Sequence, residues 1–262
     1  MTSLRDFRSY GEEMRERLRL KSFPIAVKML KKETEIPKGA VRPKKDMGHH
    51  LALCQAFAMA RREGATVAML KKDHWCYVPV IALGQAHPPE YILKGKMDYP
   101  ARIANLKAAI NTAKNAVHLD YGKYTGVVVA PLKSTPFKPD LVIMYCNPAQ
   151  LRFLLAGMRY KDGYQVTTTL EPGGACINAT VPVLRSGECK VTVPCMGDCR
   201  LALAQDDEMI FSVSGEKLED LMIGIRHFDE EGAGYPIKYA MRPESPPSEN
   251  YRKVGKMIGL DM

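Results

Sequence analysis

Residues 65–84 read ATVAMLKKDHWCYVPVIALG, and residues 164–184 read YQVTTTLEPGGACINATVPVL. Laid side by side with one insertion, both pass from an apolar, β-prone segment through a turn to a cysteine that opens a helical run. The preceding stretches correspond as well: strand 24–30, helix 49–62 and Gly64 match strand 140–146, helix 148–160 and Gly163. This order predicts a diverged internal duplication over 23–84 and 139–184, with Cys76 and Cys176 equivalent about a pseudo-twofold axis. Cys54 and Cys195 are then the unequal additions that turn a symmetric pair into a site.

Working outward, Leu4, Phe7, Met14 and Leu18 share one face of an amphipathic helix over 3–20. A helix is expected over 100–112, strands over 126–130 and 191–193, a strand over 209–213 and a helix over 216–228. Asn147-Pro148 is a helix start, with Asn as cap and Pro in the first turn. Strands and helices alternate, and the strands are apolar throughout rather than strictly alternating. The expected fold is therefore a single α/β or α+β domain with a mixed central sheet, built of two pseudo-symmetric halves. Residues 1–228 form that domain, and Pro236, Pro243, Pro246 and Pro247 mark 229–262 as a tail laid on its surface.

The chain has 262 residues, 46% hydrophobic and 26% charged, enough for a sizeable core. Its apolar runs are far shorter than the ~20 residues that span a bilayer, and its first residues lack the layout of a signal peptide. A cytoplasmic, membrane-free protein is expected, with homo-oligomers allowed. Seven cysteines, an odd number without an export signal, then argue for reduced thiols or metal ligands rather than disulfides. The net charge of +9 is spread over small groups such as Lys31-Lys32, Arg42-Pro43-Lys44-Lys45, Arg61-Arg62 and Lys71-Lys72. That pattern fits a solvated face or a small anionic ligand better than a nucleic-acid groove.

The chemistry concentrates from Gly173-Gly174-Ala175-Cys176 to Pro194-Cys195-Met196-Gly197-Asp198-Cys199-Arg200. A thiol at a helix start is poorly placed for packing and well placed for chemistry, because thiolate is both nucleophile and metal ligand. Cys146, closing an apolar strand, and Cys189, alternating with Val191 and Val193, read as small buried hydrophobes. Cys54, Cys76, Cys176 and Cys195 remain as a ligand set for an iron–sulfur cluster or, alternatively, a tetrahedral zinc. Their spacing is long and contains no CxxC, so the fold must assemble them. His49, His50 and His74 are nearby substitutes, and Trp75 could shield the site or belong to the core. Gly173-Gly174 before a helix, with Arg200, is a candidate cofactor-binding element for an anion. GxGxxG, P-loop, HExxH and GxSxG patterns are all absent.

Cys54-Gln55-Ala56, Ala60-Arg61, Cys76 and Leu83-Gly84 resemble the first half of the domain-of-unknown-function 169 family, also called ArCR, of archaea and anaerobic bacteria. Val128 to Leu132, Phe137-Lys138-Pro139-Asp140, Asn147-Pro148-Ala149-Gln150 and Cys176 are similar to its second half, and Pro194-Cys195-Met196-Gly197 with Arg200 to its last motif. The resemblance covers roughly residues 1 to 228. That last motif often lacks a second cysteine, so Cys199 departs from it. The resemblance implies no activity.

Three functions from different classes are therefore expected, in falling order. The first is a cysteine-ligated metal or iron–sulfur protein of redox or cofactor-related metabolism. The second is a metal-free thiol enzyme with Cys176 or Cys195 as nucleophile or sulfur carrier, its thiol acidified by Arg200, His74 or a helix dipole. The third is a binding protein for an anionic ligand or nucleic acid.

Overall fold

A computed structural model describes residues 2–237 and 247–260. The first helix, α1 (Leu4–Arg17), starts at a capping box in which Ser3 and Asp6 satisfy each other's backbone amides. Strand β1 (Ile25–Leu30) follows, then helix α2 (Leu53–Ala58), which widens into a π-turn over Met59–Glu63 and stops at left-handed Gly64. Strand β2 (Val67–Leu70) leads through a single 3₁₀ turn to α3 (Tyr77–Ala82). Two helices, α4 (Glu90–Leu93) and α5 (Leu106–Asn115), pack on each other before β3 (Gly126–Pro131).

The second half runs β4 (Leu141–Cys146), α6 (Pro148–Arg159), α7 (Ala175–Ser186), β5 (Lys190–Thr192), α8 (Met196–Ala202), β6 (Met209–Ser214) and α9 (Leu218–Glu230). The six strands form one sheet in the order β2-β3-β1-β4-β6-β5. Every pairing is antiparallel, so the expected mixed sheet is not what forms. The α/β single domain does form. The apolar strands misled because helices cover both faces of this sheet, which removes the polar alternation that normally betrays an antiparallel strand.

One face carries α1, α6 and α9; the other carries α2, α3, α7 and α8. Along β3, Val127 and Val129 face the second layer while Val128 and Ala130 face the first. Helices α6 and α9 touch at Gly157 and Gly224, where a Cβ on Gly224 would overlap the Gly157 carbonyl. Cys146 and Cys189 lie buried in the core beneath this layer, as small hydrophobes do.

The sheet has a twofold plan. Strands β1, β2 and β3 lie in the order β2-β3-β1, and β4, β5 and β6 lie in the mirrored order β4-β6-β5. The registers agree residue for residue. Ile25 opposite Pro131 corresponds to Leu141 opposite Ser214, and Val67 opposite Val129 corresponds to Lys190 opposite Ser212. A 3₁₀ turn follows immediately on β3 and on β6, at Leu132–Ser134 and Gly215–Lys217. The axis passes between β1 and β4, where Ala26 faces Val142.

The matching elements differ from those read in the sequence. Residues 164–170 are irregular rather than a strand, and the partner of β2 is β5. The TTT run there is β-prone, but no sheet edge pairs with it, so tertiary context overrides propensity. The helix over 175–186 therefore precedes its strand, whereas α3 follows β2, and the pairing of Cys76 with Cys176 gives way to another. Of the tail expected over 229–262, residues 238–246 lie outside the described residues, α9 extends to Glu230, and a further helix, α10 (Glu249–Met257), occurs beyond.

Candidate functional site

Four helix starts meet on the sheet face formed by Ile25, Val27, Leu141, Ile143 and Tyr145. Helix α2 packs against α8, and α3 against α7; the twofold plan exchanges these two contacts. Cys54 is the second residue of α2, after cap Ala52, and Cys176 is the second residue of α7, after cap Gly174. Cys76 is the cap of α3 and Cys195 the cap of α8. The equivalent pairs are thus Cys54 with Cys176 and Cys76 with Cys195. No cysteine of the four is an addition to a pair; together they are two symmetric pairs.

The four thiols belong to one core cluster, with Cys54 and Cys176 buried and Cys76 and Cys195 at its half-buried edge. They lie close enough to act on one another electrostatically. Burial pushes the Cys54 thiol up to about 12, with the charges of Asp198, Cys195 and Cys76 adding to it. Cys176 is raised well above the ordinary thiol range by burial, then by Cys54, Asp198, Cys195 and Cys76. Burial also raises Cys76, opposed by a bond from the Val78 amide. The helix starts were expected to favour thiolate at these positions. Desolvation wins at all three, because loss of water penalises the charged form more than a few amide dipoles favour it.

Among the described residues, no three His, Cys, Asp or Glu side chains stand at the spacing of a ready metal-ligand group. Cys76 and Cys195 each act on both Cys54 and Cys176, so the four share one neighbourhood. All seven cysteines are free. Cys199 is exposed, one turn after Cys195 on α8, and its thiol is raised by burial and by Asp198.

Other candidates fall elsewhere. Arg200, His49 and His50 are exposed. The Gly173 amide donates to Glu171 Oε1 at 3.2 Å, so it is already engaged by the chain's own carboxylate. Gly174 takes a left-handed φ of 64° and lies against Ile177 and Val78, a close approach that accounts for its lack of a side chain. His74 is buried with neither ring nitrogen bonded among the described residues, and burial lowers it to about 4, so it cannot acidify a thiol as a cation at neutral pH. Trp75 is 53% exposed and donates its indole N–H to Gln55 Oε1 at 3.0 Å. It is not core.

A buried polar group beside the thiols was not legible in the sequence. Tyr145 donates its hydroxyl to Asp198 Oδ1 at 3.1 Å, and the Arg61 guanidinium stacks 3.9 Å from the Tyr145 ring centroid. Arg61 bonds Glu208 Oε1 at 3.1 Å and Ser22 Oγ, and also the carbonyls of Ala202 and Leu203. Burial raises the Asp198 carboxyl to about 6, although the Tyr145 bond and Arg61 pull it down. Arg42 likewise pairs with buried Asp73 at 2.9 Å. Two of the basic groups in the sequence therefore contribute an arginine to the interior, each paired with a buried carboxylate, Asp73 or Glu208.

No solved structure matches the chain. It is 26% identical over 227 residues to an uncharacterised protein, MJ0308, of Methanocaldococcus jannaschii, an alignment covering 85% of this chain and 95% of that one. The profile described as uncharacterised ArCR, domain of unknown function 169, matches residues 13–224, which contain all four helix-start cysteines. The chain belongs to that family.

Proposed function

We propose that the protein holds a metal or iron–sulfur centre on Cys54, Cys76, Cys176 and Cys195, and serves redox or cofactor-related metabolism in a reducing cytoplasm. The observation that supports this is the symmetry of the four positions. Cysteines serving only as packing need not recur at the same helix residue in two halves that otherwise share few side chains. A ligand set on a twofold axis needs that recurrence. An iron–sulfur cluster asks for wider thiol spacing, since irons and sulfides stand between its ligands; a single zinc requires sulfurs only about 4 Å apart, from bonds of ~2.3 Å. In the metal-free protein the raised thiols are protonated, and metal displaces those protons.

The thiol-enzyme alternative receives less support, because an activated nucleophile needs a lowered pKa and Cys176, one of its two candidates, is raised by burial. An anion site at Gly173-Gly174 lacks the free Gly173 amide it would use. Anaerobic purification followed by iron, sulfide and zinc analysis tests the reading. Stoichiometric metal is expected, and a folded protein that is metal-free with every thiol titratable would refute it.

A further inference from the structure

Helix α10 lies beyond residues 13–224, the stretch that the family profile matches, and of its nine residues only Gly255 is buried. Its apolar side chains are not scattered. Tyr251, Val254 and Ile258, the last at the helix C-cap, recur at i, i+3 and i+7, and Met257 widens the stripe. These side chains are bare: Tyr251 is 74% exposed, Val254 57%, Met257 73% and Ile258 69%. Arg252, Lys253 and Lys256 take the opposite face, again at spacings of three and four. Glu249, in the first turn, is the one acidic residue of the helix. A helix this short has little stability of its own in water. Folded chains also seldom leave a contiguous apolar stripe to solvent without a use for it.

We propose that α10 is a membrane-surface anchor: its apolar stripe enters the interface of a bilayer rich in anionic lipid, while Arg252, Lys253 and Lys256 meet the headgroups. Charge complementarity favours this occupant over a second copy of the chain. The polar face is basic and the whole chain carries +9, so an anionic surface attracts both. Two such helices laid together would instead bring like charges near each other. The stripe also spans only about two turns, well short of the roughly three to four heptads that sustain a coiled coil. Tyr251, an apolar ring with a polar tip, suits the boundary between lipid and water. The anchor lies on the surface and does not cross it, since no helix among the described residues is long and apolar enough to span a membrane. This goes beyond the metal reading and does not rest on it.

The test is co-sedimentation of the full-length, reduced protein with vesicles of phosphatidylcholine alone and of phosphatidylcholine containing phosphatidylglycerol. Binding to the anionic vesicles at low salt is expected, with little to the neutral ones and a steep loss as salt rises. Val254→Asp should weaken it by about tenfold or more, because burying a valine side chain contributes roughly that factor. Lys253→Gln with Lys256→Gln should weaken it about twentyfold, from about fivefold per charge. All three positions are exposed, so the urea midpoint of the domain should not move in either variant. Folded wild type that stays in the supernatant with anionic vesicles at low salt would overturn the proposal. Binding that Val254→Asp or the lysine variant leaves intact would do the same. A concentration-dependent dimer in lipid-free solution, dissolved by Val254→Asp, would give the stripe to a second copy and overturn it too. None of these outcomes alters metal content at the cysteines, so the two readings fail separately.

Discussion

Cys54 and Cys176 occupy the same place in two halves of one fold, each the second residue of a helix that packs over the central strands. Their sequences have diverged: α2 reads LCQAFA and α7 opens ACINAT. What the halves retain is backbone plan, register and the thiol.

Metal loading should depend steeply on pH. Cys54, Cys76 and Cys176 are raised by burial, so they carry protons at neutral pH that a metal must displace. With at least two protons released, apparent affinity should rise about a hundredfold or more from pH 6.5 to 7.5. Competition titrations against a chelator of known pH dependence measure this. A flat profile would mean that the ligands are not these thiols.

Asp198 should cost the metal-free protein stability in a defined pH window. Its folded pKa of about 6 lies above the ordinary 3.8, so the folded state holds a proton that the unfolded chain has lost. Stability therefore falls as pH rises from about 4 to 6, by about 3 kcal/mol, and stays lower above. Asp198→Asn should be more stable than wild type at pH 7.5 by up to that amount, and level with it near pH 4. Urea midpoints at the two pH values check the sign.

His74 acts in the opposite direction. Burial holds it neutral down to about 4, below the usual 6.5, so stability is present above pH 6.5 and is lost as pH falls toward 4. The loss amounts to about 3 kcal/mol. His74→Leu should remove that acid sensitivity, which urea unfolding at pH 6.5 and 4.5 would show as a smaller drop than in wild type.

Glu208→Ala should be the most damaging of the polar substitutions near the site. It leaves the Arg61 guanidinium buried without its carboxylate, a loss of about 3–5 kcal/mol. Replacing the pair together, Arg61→Met with Glu208→Leu, should cost less than the single change, because no charge is stranded. Thermal and chemical unfolding of both variants decide it.

Much of this fold was readable in the residues. The apolar segments placed all six strands within two residues at each end and added one over 164–170 that does not form, and the Asn147-Pro148 start is a capped helix as expected. The duplication was visible in element order, but its phase was not. The TTT run of 167–169 looked like the equivalent of β2, while the strand that holds that place is Lys190–Thr192. Cys76, Cys176 and Cys195 could be singled out because each stands at an element start, whereas the expected helix over 49–62 put Cys54 in its middle and the chain begins that helix only at Leu53. Asp198 could not, since an aspartate between Gly197 and Cys199 looks like any solvated turn residue until Tyr145 closes over it from a strand 53 positions away. Its burial is a property of the sheet and α8 together, which no local pattern records.

The most direct test of the account is metal content measured for seven single Cys→Ser variants of the anaerobically prepared protein. The symmetric centre predicts that Cys54→Ser, Cys76→Ser, Cys176→Ser and Cys195→Ser each lose bound metal, while Cys146→Ser, Cys189→Ser and Cys199→Ser keep it as long as they fold. Full metal content in any folded variant of the first four, or a folded wild type with none, would contradict it.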